Sequence, residues 1–488
     1  MTNGVLPPGA GGARGAPGKA AAIAGGWVLF ATILGSSLGF IDGTVVNVAL
    51  PAIQADLHAT ATGVQWVVEA YSLFLAALIL VGGSLGDRLG RRRVFTIGIV
   101  LFTFASVLCG LAPNIIVLIL ARAVQGVGGA LLVPGSLAII SAAFDTRERG
   151  RAIGTWAAFT TITSAIGPVL GGWLVQTASW RWVFFINVPL AAVTLVTTYM
   201  YVPESRDEQA TGRLDVTGAM LATVGLGALV FGLIESSALG LGAPLVVAAL
   251  IIGVAGLGLF VWVELRDERT GGAPMVKLSL FRSPTFAGTN LLTLFLYGGL
   301  GGALYFLPFN LQQVQGYSPA QAGAALLPFT LVIFVLSRWA GGLIPRYGAK
   351  RPLVIGASIA AAGFALFAVP GVGGSYWITF FPAVLVLSLG MAVVIAPLTT
   401  AVMGSVASDH AGVASGINNA VSRTAGLLAI AVLNLVVIAI FASAFERRIG
   451  ALPLSPGARQ ALGAQSGRLA AVQIPADLGS AEQAAVQH

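Results

Sequence analysis

Six ionisable side chains fall inside long apolar runs of this sequence: Asp42, Glu69, Arg122, Glu235, Arg338 and Arg423. A charge in hydrocarbon is costly, so each must reach water, find a partner or line a cavity, and such groups mark ion and substrate paths. Asp42 stands about eight residues before the end of the first run, and Arg122 about seven after the start of the fourth. At a rise of ~1.5 Å per residue both sit roughly 10–12 Å below one membrane surface. Equal depth lets them pair if their helices adjoin. A carboxylate parted from a neighbouring arginine takes up a proton more readily, so a pair that opens and closes can load and release protons. The same pair, never opening, would simply pin the first helix to the fourth.

The other four differ. Glu69, one or two turns into the second run, reads as a second proton site, as part of a surface for cationic substrates, or as a carboxylate reaching water. Glu235, at the end of the seventh run, is expected to be solvated. Arg338 lies about one turn from a helix end and can snorkel to the interface. Arg423 is near mid-depth, one turn after Asn418 and Asn419, and must face a cavity or a carboxylate.

The elements that position these groups are membrane spans. Of the 488 residues, 57% are hydrophobic and only 9% charged, against roughly 25% charged in soluble domains. Thirteen apolar runs are expected to be helices, at 27–50, 63–85, 94–112, 115–141, 152–175, 181–202, 215–235, 243–264, 285–310, 321–343, 353–370, 375–401 and 412–441. Each is long enough to cross ~30 Å of hydrocarbon. With the N-terminus inside, eighteen of the twenty-six Lys and Arg residues fall in cytoplasmic segments, while the outer loops up to residue 441 hold only Arg181. That bias predicts a cytoplasmic N-terminus. The net charge of +8 is therefore a topology signal and does not suggest nucleic acid.

The chain also repeats itself. Gly83 to Arg93 reads GSLGDRLGRRR and Gly341 to Arg351 reads GGLIPRYGAKR, so Gly83, Arg88, Gly90 and Arg93 match Gly341, Arg346, Gly348 and Arg351. Each is a tight basic turn between two helices, and two such turns imply two bundles of similar build, as in many secondary transporters. The expected layout is a Gly/Ala/Pro-rich disordered cytoplasmic tail over 1–26 and a six-helix bundle over 27–202. Two inserted helices with linkers occupy 203–283, a second bundle with five visible helices 284–441, and a polar segment without a span 442–488. A strict two-fold repeat would call for one further helix at the end.

Together these residues identify a resemblance to the major facilitator superfamily, and within it to the fourteen-helix drug:proton antiporters, over about residues 27–441. Gly83-x-Leu85-x-Asp87-Arg88-x-Gly90-Arg91-Arg92-Arg93 resembles the superfamily loop motif, and Leu118-x-x-x-Arg122-x-x-Gln125-Gly126-x-Gly128 that of the fourth helix. Gly154, then Gly167-Pro168-x-x-Gly171-Gly172, resembles the antiporter signature of the fifth helix, with Thr163 in place of its middle glycine. Asp42-x-Thr44-x-x-Asn47-x-Ala49-Leu50-Pro51, Trp180-Arg181-Trp182 with Asn187-x-Pro189, and Gln312 through Pro319 to Ala322-Gly323 are similar to the fourteen-helix group.

The resemblance implies an all-α fold of two pseudo-symmetric bundles plus two inserted helices. It brings Asp42 and Arg122 to one bundle interior and gives Arg122 a part in proton coupling. It also makes Gly83, Asp87, Arg88, Gly90, Arg91, Arg346 and Gly348 gating residues on the cytoplasmic side. Pro345 replaces Asp87 in the second copy, so a carboxylate lock is expected in the first half alone. In the fifth helix, Pro168 bends the chain and the glycines admit a neighbour, either to seal the cavity against proton leak or as ordinary close packing.

The expected function is export of hydrophobic or cationic compounds across a bacterial-type inner membrane in exchange for protons. Candidate cavity residues are Asn47, Gln65, Tyr71, Gln125, Trp156, Asn290, Tyr297, Tyr305 and Arg423, together with Asn310, Gln312 and Gln313. The rivals are an exporter of one endogenous metabolite or lipid and a non-transporting sensor or scaffold, though the internal segments are short for an effector region. Nothing reads as an enzyme: the lysines Lys19, Lys277 and Lys350 build no phosphate loop, and His58, His410 and His488 lack metal-ligand spacing. Cys109 is the sole cysteine, so no intramolecular disulfide forms. No cofactor is expected beyond the proton as coupling ion. The expected partners are small lipophilic substrates and the bilayer, the working unit a monomer, and the candidate protein partner a periplasmic adaptor.

Overall fold

A computed structural model describes residues 19–144, 146–206, 215–272, 274–406, 411–452 and 454–463. The first half holds α1 (Lys19–Asp56), α2 (Ala61–Leu89), α3 (Arg91–Gly110), α4 (Ile115–Ala143), α5 (Thr146–Thr177), α6 (Trp182–Phe185) and α7 (Asn187–Tyr201). Next come α8 (Val216–Leu239) and α9 (Pro244–Arg269), and a 3-10 turn over Leu278–Arg282. The second half holds α10 (Pro284–Phe309), extended by a π turn over Asn310–Val314, then α11 (Pro319–Ala324), α12 (Leu327–Gly341) and α13 (Leu343–Tyr347). It closes with α14 (Lys350–Leu366), α15 (Phe380–Gly404), α16 (Ala411–Ala451) and the short α17 (Pro456–Gly463).

Eleven helical stretches among the described residues are long and apolar enough to span a membrane. The more polar α5, 32 residues long, and α14, of 17, bring the number to the thirteen expected. Helix starts are written in the sequence as caps. Thr60 accepts from Gly63 N, Asn114 from Val117 N and Asp215 from Gly218 N, and Ser318 with Gln321 forms a reciprocal capping box. The span read at 181–202 is broken at Ile186, because Pro189 has no N–H to give to the preceding turn.

Two expected boundaries are corrected. The tail drawn over 1–26 is helical from Lys19, while residues 1–18 lie outside the described residues. The last span does not stop at 441 but runs to Ala451. Its extension keeps an apolar stripe, with Phe441 stacked on Phe445 and Ile449 packed on Ala458 and Leu462 of α17, so a sequence read as polar continues the helix. Residues 464–488 of the segment expected to be polar lie outside the described residues.

Small residues set the spacing inside each bundle. A Cβ on Gly82 would stand 2.0 Å from the Ala130 carbonyl oxygen, so α2 and α4 meet backbone to backbone there. The inserted helices α8 and α9 pack on each other, and α8 lies against both α2 and α16. Most of α9 is turned outward, with Ile251, Ile252, Val254 and Trp262 exposed, as suits a lipid-facing helix.

The molecule has two ends. The basic face carries Arg91–Arg93 and the Arg181 face carries Asp56 and Arg181. At the basic face, Gly90 (φ 110°) and Gly348 (φ 70°) both take the left-handed backbone that glycine permits, so the two repeats turn alike. At the Arg181 face the halves are joined directly. Gln312 Nε2 donates to Val48 O at 3.0 Å, Gln313 Nε2 donates to Gln54 Oε1 at 3.0 Å, and Asn434 donates to Gln65.

Candidate functional site

Asp42 and Arg122 meet. Asp42 is fully buried on α1 and Arg122 is 1% exposed on α4, and Arg122 Nη1 donates to Asp42 Oδ2 at 2.5 Å. The carboxylate accepts two more bonds at Oδ1, from Gln125 Nε2 at 2.8 Å and Asn187 Nδ2 at 3.2 Å. The guanidinium also donates through Nε to Val67 O at 2.9 Å and through Nη1 to Gln125 Oε1 at 2.7 Å, and its Cζ lies 4.2 Å from the Tyr71 ring centroid. Ser106 accepts from both Gln125 and Asn187 and donates to Phe184 O. One ion pair therefore gathers five helices, α1, α2, α3, α4 and α7, in the manner required of a buried pair whose remaining donors and acceptors must be satisfied.

Gln125 belongs to this network and not to the expected substrate surface. Its place was legible as Arg122 plus three, one face of one helix. Asn187 and Ser106 were not singled out. Asn187 stood in a motif without a role. Ser106 carries no signal in an apolar run.

A cavity of about 320 Å³ opens beside the pair, between the halves. Its wall includes Asn47, Tyr71, Arg122, Tyr297 and Arg423. Of the candidates for the substrate surface, Asn47, Tyr71, Tyr297 and Arg423 are there. Arg423, which had to face a cavity or a carboxylate, faces the cavity. Its Nε is buried without a hydrogen bond, and no ion pair involves it among the described residues.

The other candidates are placed elsewhere. Trp156 donates from Nε1 to Ser36 Oγ at 3.0 Å and packs edge-on to Phe40. Asn290 accepts from Asn418 and donates to Phe286 O, tying α10 to α16. Gln65, Gln312 and Gln313 join the halves as described above, and Asn310 begins the π turn, where its side chain accepts from Gln315. Tyr305 packs on Phe306 and Phe309. These polar groups satisfy helix contacts before any substrate arrives, a use that composition does not separate from cavity lining.

Glu69 is on α2 but does not join the pair. It is fully buried, both its oxygens lack hydrogen bonds, and Nε2 of Gln65, one turn earlier, is likewise unbonded. It therefore does not reach water. Glu235, expected to be solvated, is partly exposed and also accepts from Trp66 Nε1 at 3.1 Å, which ties α8 to α2. The Arg338 side chain lies outside the described residues.

In the turn at the basic face, Asp87 pairs with Arg91 at 2.8 Å. The N-terminus of α3 is capped by Glu204, which accepts from Arg92 N at 3.0 Å and Arg93 N at 3.1 Å. A cap supplied from so far along the chain is invisible to local sequence reading. Arg88 is partly buried and Arg346 exposed, and a Cβ on Gly348 would meet open space. On α5, Cβ atoms on Gly167 and Gly171 would stand 2.0 and 2.5 Å from Thr44 and Val45 side-chain atoms of α1. A Cβ on Gly172 would stand 2.2 Å from Pro319 O, in the other half, whereas Gly154 is exposed and meets nothing. Pro168 lies inside α5, with its carbonyl against Gly323.

Comparisons with known proteins agree with this architecture. The chain is 37% identical over 424 residues to the multidrug resistance protein Stp of Mycobacterium tuberculosis, covering 86% of this chain and 77% of that one. It is 38% identical over 415 residues to the puromycin resistance protein pur8 of Streptomyces alboniger, covering 84% and 81%. Among solved structures, a bacterial homologue of the human lysosomal transporter Spinster, inward-facing and unoccupied, superposes with a TM-score of 0.63 over 95% of this chain and 91% of that one. At 18% identity that likeness shows the fold alone. The family model described as Major Facilitator Superfamily matches residues 32–430, so this multi-pass membrane chain belongs to the Major Facilitator Superfamily.

Proposed function

We propose that this protein exports hydrophobic, drug-like small molecules from the cell in exchange for protons. The central cavity opens alternately to the two sides of a bacterial plasma membrane, with the basic face and the N-terminus cytoplasmic. The observation that carries the reading is the Asp42–Arg122 pair, fully buried yet with Arg122 on the cavity wall. A substrate or a rocking half that draws the guanidinium toward the cavity leaves Asp42 without its cation, and a proton can take that place. Gln125 and Asn187 hold the carboxylate during the exchange, because neither bond needs Arg122 to stay. Glu69, buried next to Gln65 beside the seam between α2 and α16, is the second proton site.

Gating follows from the two ends. The Asp87–Arg91 pair and Glu204 stiffen the turn at the basic face, and Arg88, Arg346 and the two left-handed glycines belong to the same gate. Gly167, Gly171 and Gly172 let α5 close on α1 and α11 at the far side. Relatives named as multidrug, puromycin and tetracenomycin C resistance proteins support the drug-like substrate. The bias of basic residues supports the orientation.

The test is drug susceptibility in a host lacking its own efflux pumps, comparing the natural chain with Asp42→Asn and Arg122→Ala at matched expression. Everted vesicles then report proton exchange. Resistance and substrate-induced proton release that both substitutions abolish support the reading. Resistance that survives both removes the pair as the coupling site.

A further inference from the structure

We infer that the central cavity selects amphiphilic aromatic compounds that carry an anionic oxygen, such as a carboxylate or an ionised phenol, and that Arg423 receives that oxygen. This narrows the substrate class of the transport reading and rests on it.

The charges around the cavity are unequal. Two guanidiniums, Arg122 and Arg423, lie on its wall, and among the described residues no carboxylate does. The carboxylate of Asp42 is spent behind Arg122, accepting from three donors. Glu69 is absent from the wall although its neighbours Val68 and Tyr71 are on it, so α2 turns that carboxyl away. The lining residues of α5 and α10 carry no charge. What remains facing the space, among the described residues, is the cation of Arg423, which has no ion pair and whose buried Nε lacks a hydrogen bond.

An arginine so placed has unused donors in a planar fork that fits two oxygens at once. The walls supply the rest of the recognition. Tyr71 from one half and Tyr297 from the other offer flat surfaces, and Phe40 adds a third, while Asn47 and Thr44 can bond a ring hydroxyl or carbonyl. A compound with an aromatic body and one anionic oxygen satisfies each of these features. A lipophilic cation would find the same apolar walls, an unpaired positive charge and no counter-charge.

The experiment uses two probes with one skeleton and opposite charge, radiolabelled 2-naphthoate and 2-naphthylmethylammonium. Binding to the purified full-length protein in lipid nanodiscs is measured at equilibrium for the natural chain, Arg423→Gln and Arg423→Lys. The expected result is naphthoate bound about tenfold or more tighter than the ammonium by the natural chain. Arg423→Gln should erase that preference and Arg423→Lys keep most of it. The preference is a ratio within one preparation, so partial misfolding of a variant does not mimic the result. Equal binding of the two probes by the natural chain, or a preference unchanged in Arg423→Gln, overturns the inference. The transport reading fails separately. If naphthoate binds through Arg423 but no probe moves when a pH gradient is imposed on proteoliposomes, exchange is wrong and the anion site stands. If a cation is exported down that gradient equally well by Arg423→Gln, exchange stands and the anion site is wrong.

Discussion

The two arginines on the cavity wall are alike in chemistry and opposite in circumstance. Arg122, in the first half, is 1% exposed and has its charge cancelled by Asp42, its Nε taken by a carbonyl and its face covered by Tyr71. Arg423, in the second half, has no ion pair among the described residues and a bare Nε. The pseudo-symmetry of the halves extends to their turns but not to these sites. The lesson is that one half closes its charge in an internal pair, and the other presents a charge to the cavity. The basic turns show the same asymmetry, since Asp87 pairs with Arg91 in the first copy and Pro345 stands at its place in the second.

Removing each arginine breaks the comparison most directly. Arg122→Ala leaves Asp42 buried without its cation and should destabilise the protein by about 3–5 kcal/mol. Arg423→Ala breaks no pair and should leave stability unchanged or raised, so thermal unfolding in one detergent separates the two sites. Lysine sharpens the contrast. Arg122→Lys keeps the charge but cannot reach Val67 O, Asp42 and Gln125 together, and should lose about 2 kcal/mol and most proton exchange. At 423 the same change should leave unfolding nearly unchanged and weaken, without reversing, the preference for an aromatic anion.

A smaller effect comes from giving Arg423 what it lacks. Asn47→Asp is close to isosteric and puts a carboxylate on the cavity wall. Affinity for an aromatic anion should fall about tenfold and that for the matching cation rise. An unchanged ratio would mean that Asn47 and Arg423 do not sense the same ligand. Smallest is Asn187→Ala, which strips one of three donors from Asp42 while leaving the pair closed. The expected loss is about 1 kcal/mol in unfolding, with export retained but slowed.

Electrical driving offers a check on both sites at once. Exchange of one anion outward for one proton inward carries two positive charge equivalents inward. The membrane potential then assists by roughly 2.3 kcal/mol per charge per 100 mV. Collapse of the potential at constant pH gradient should therefore slow export of an aromatic acid more than export of a neutral compound of equal size, measured in everted vesicles.

Much of the site was legible because lipid makes charges conspicuous. Asp42, Arg122 and Arg423 stood out as ionisable groups in apolar runs; equal depth allowed the Asp42–Arg122 pair, and the family resemblance implied it. Uncharged polar residues were harder. Gln65, Asn290 and Tyr305 looked as suited to a cavity as Asn47 and Tyr297. Their assignment depends on helix rotation by fractions of a turn, which an apolar run on all faces does not record. Ser106, Asn187 and Glu204 were missed because their partners come from other helices, as when Glu204 caps α3 from beyond α7.

The sequence by itself determined that this chain crosses a membrane many times, that it is built of two related halves with an inserted pair, and which charges lie in the hydrocarbon. Those properties follow from composition, run length and repeated turns, all of which are local. Only the tertiary structure decided which charge is neutralised and which is left open. Pairing depends on distances between helices remote in sequence and on which face each turns to its neighbour. In a bilayer, where most sides of a span are apolar, that rotation is set by packing and by hydrogen bonds between helices.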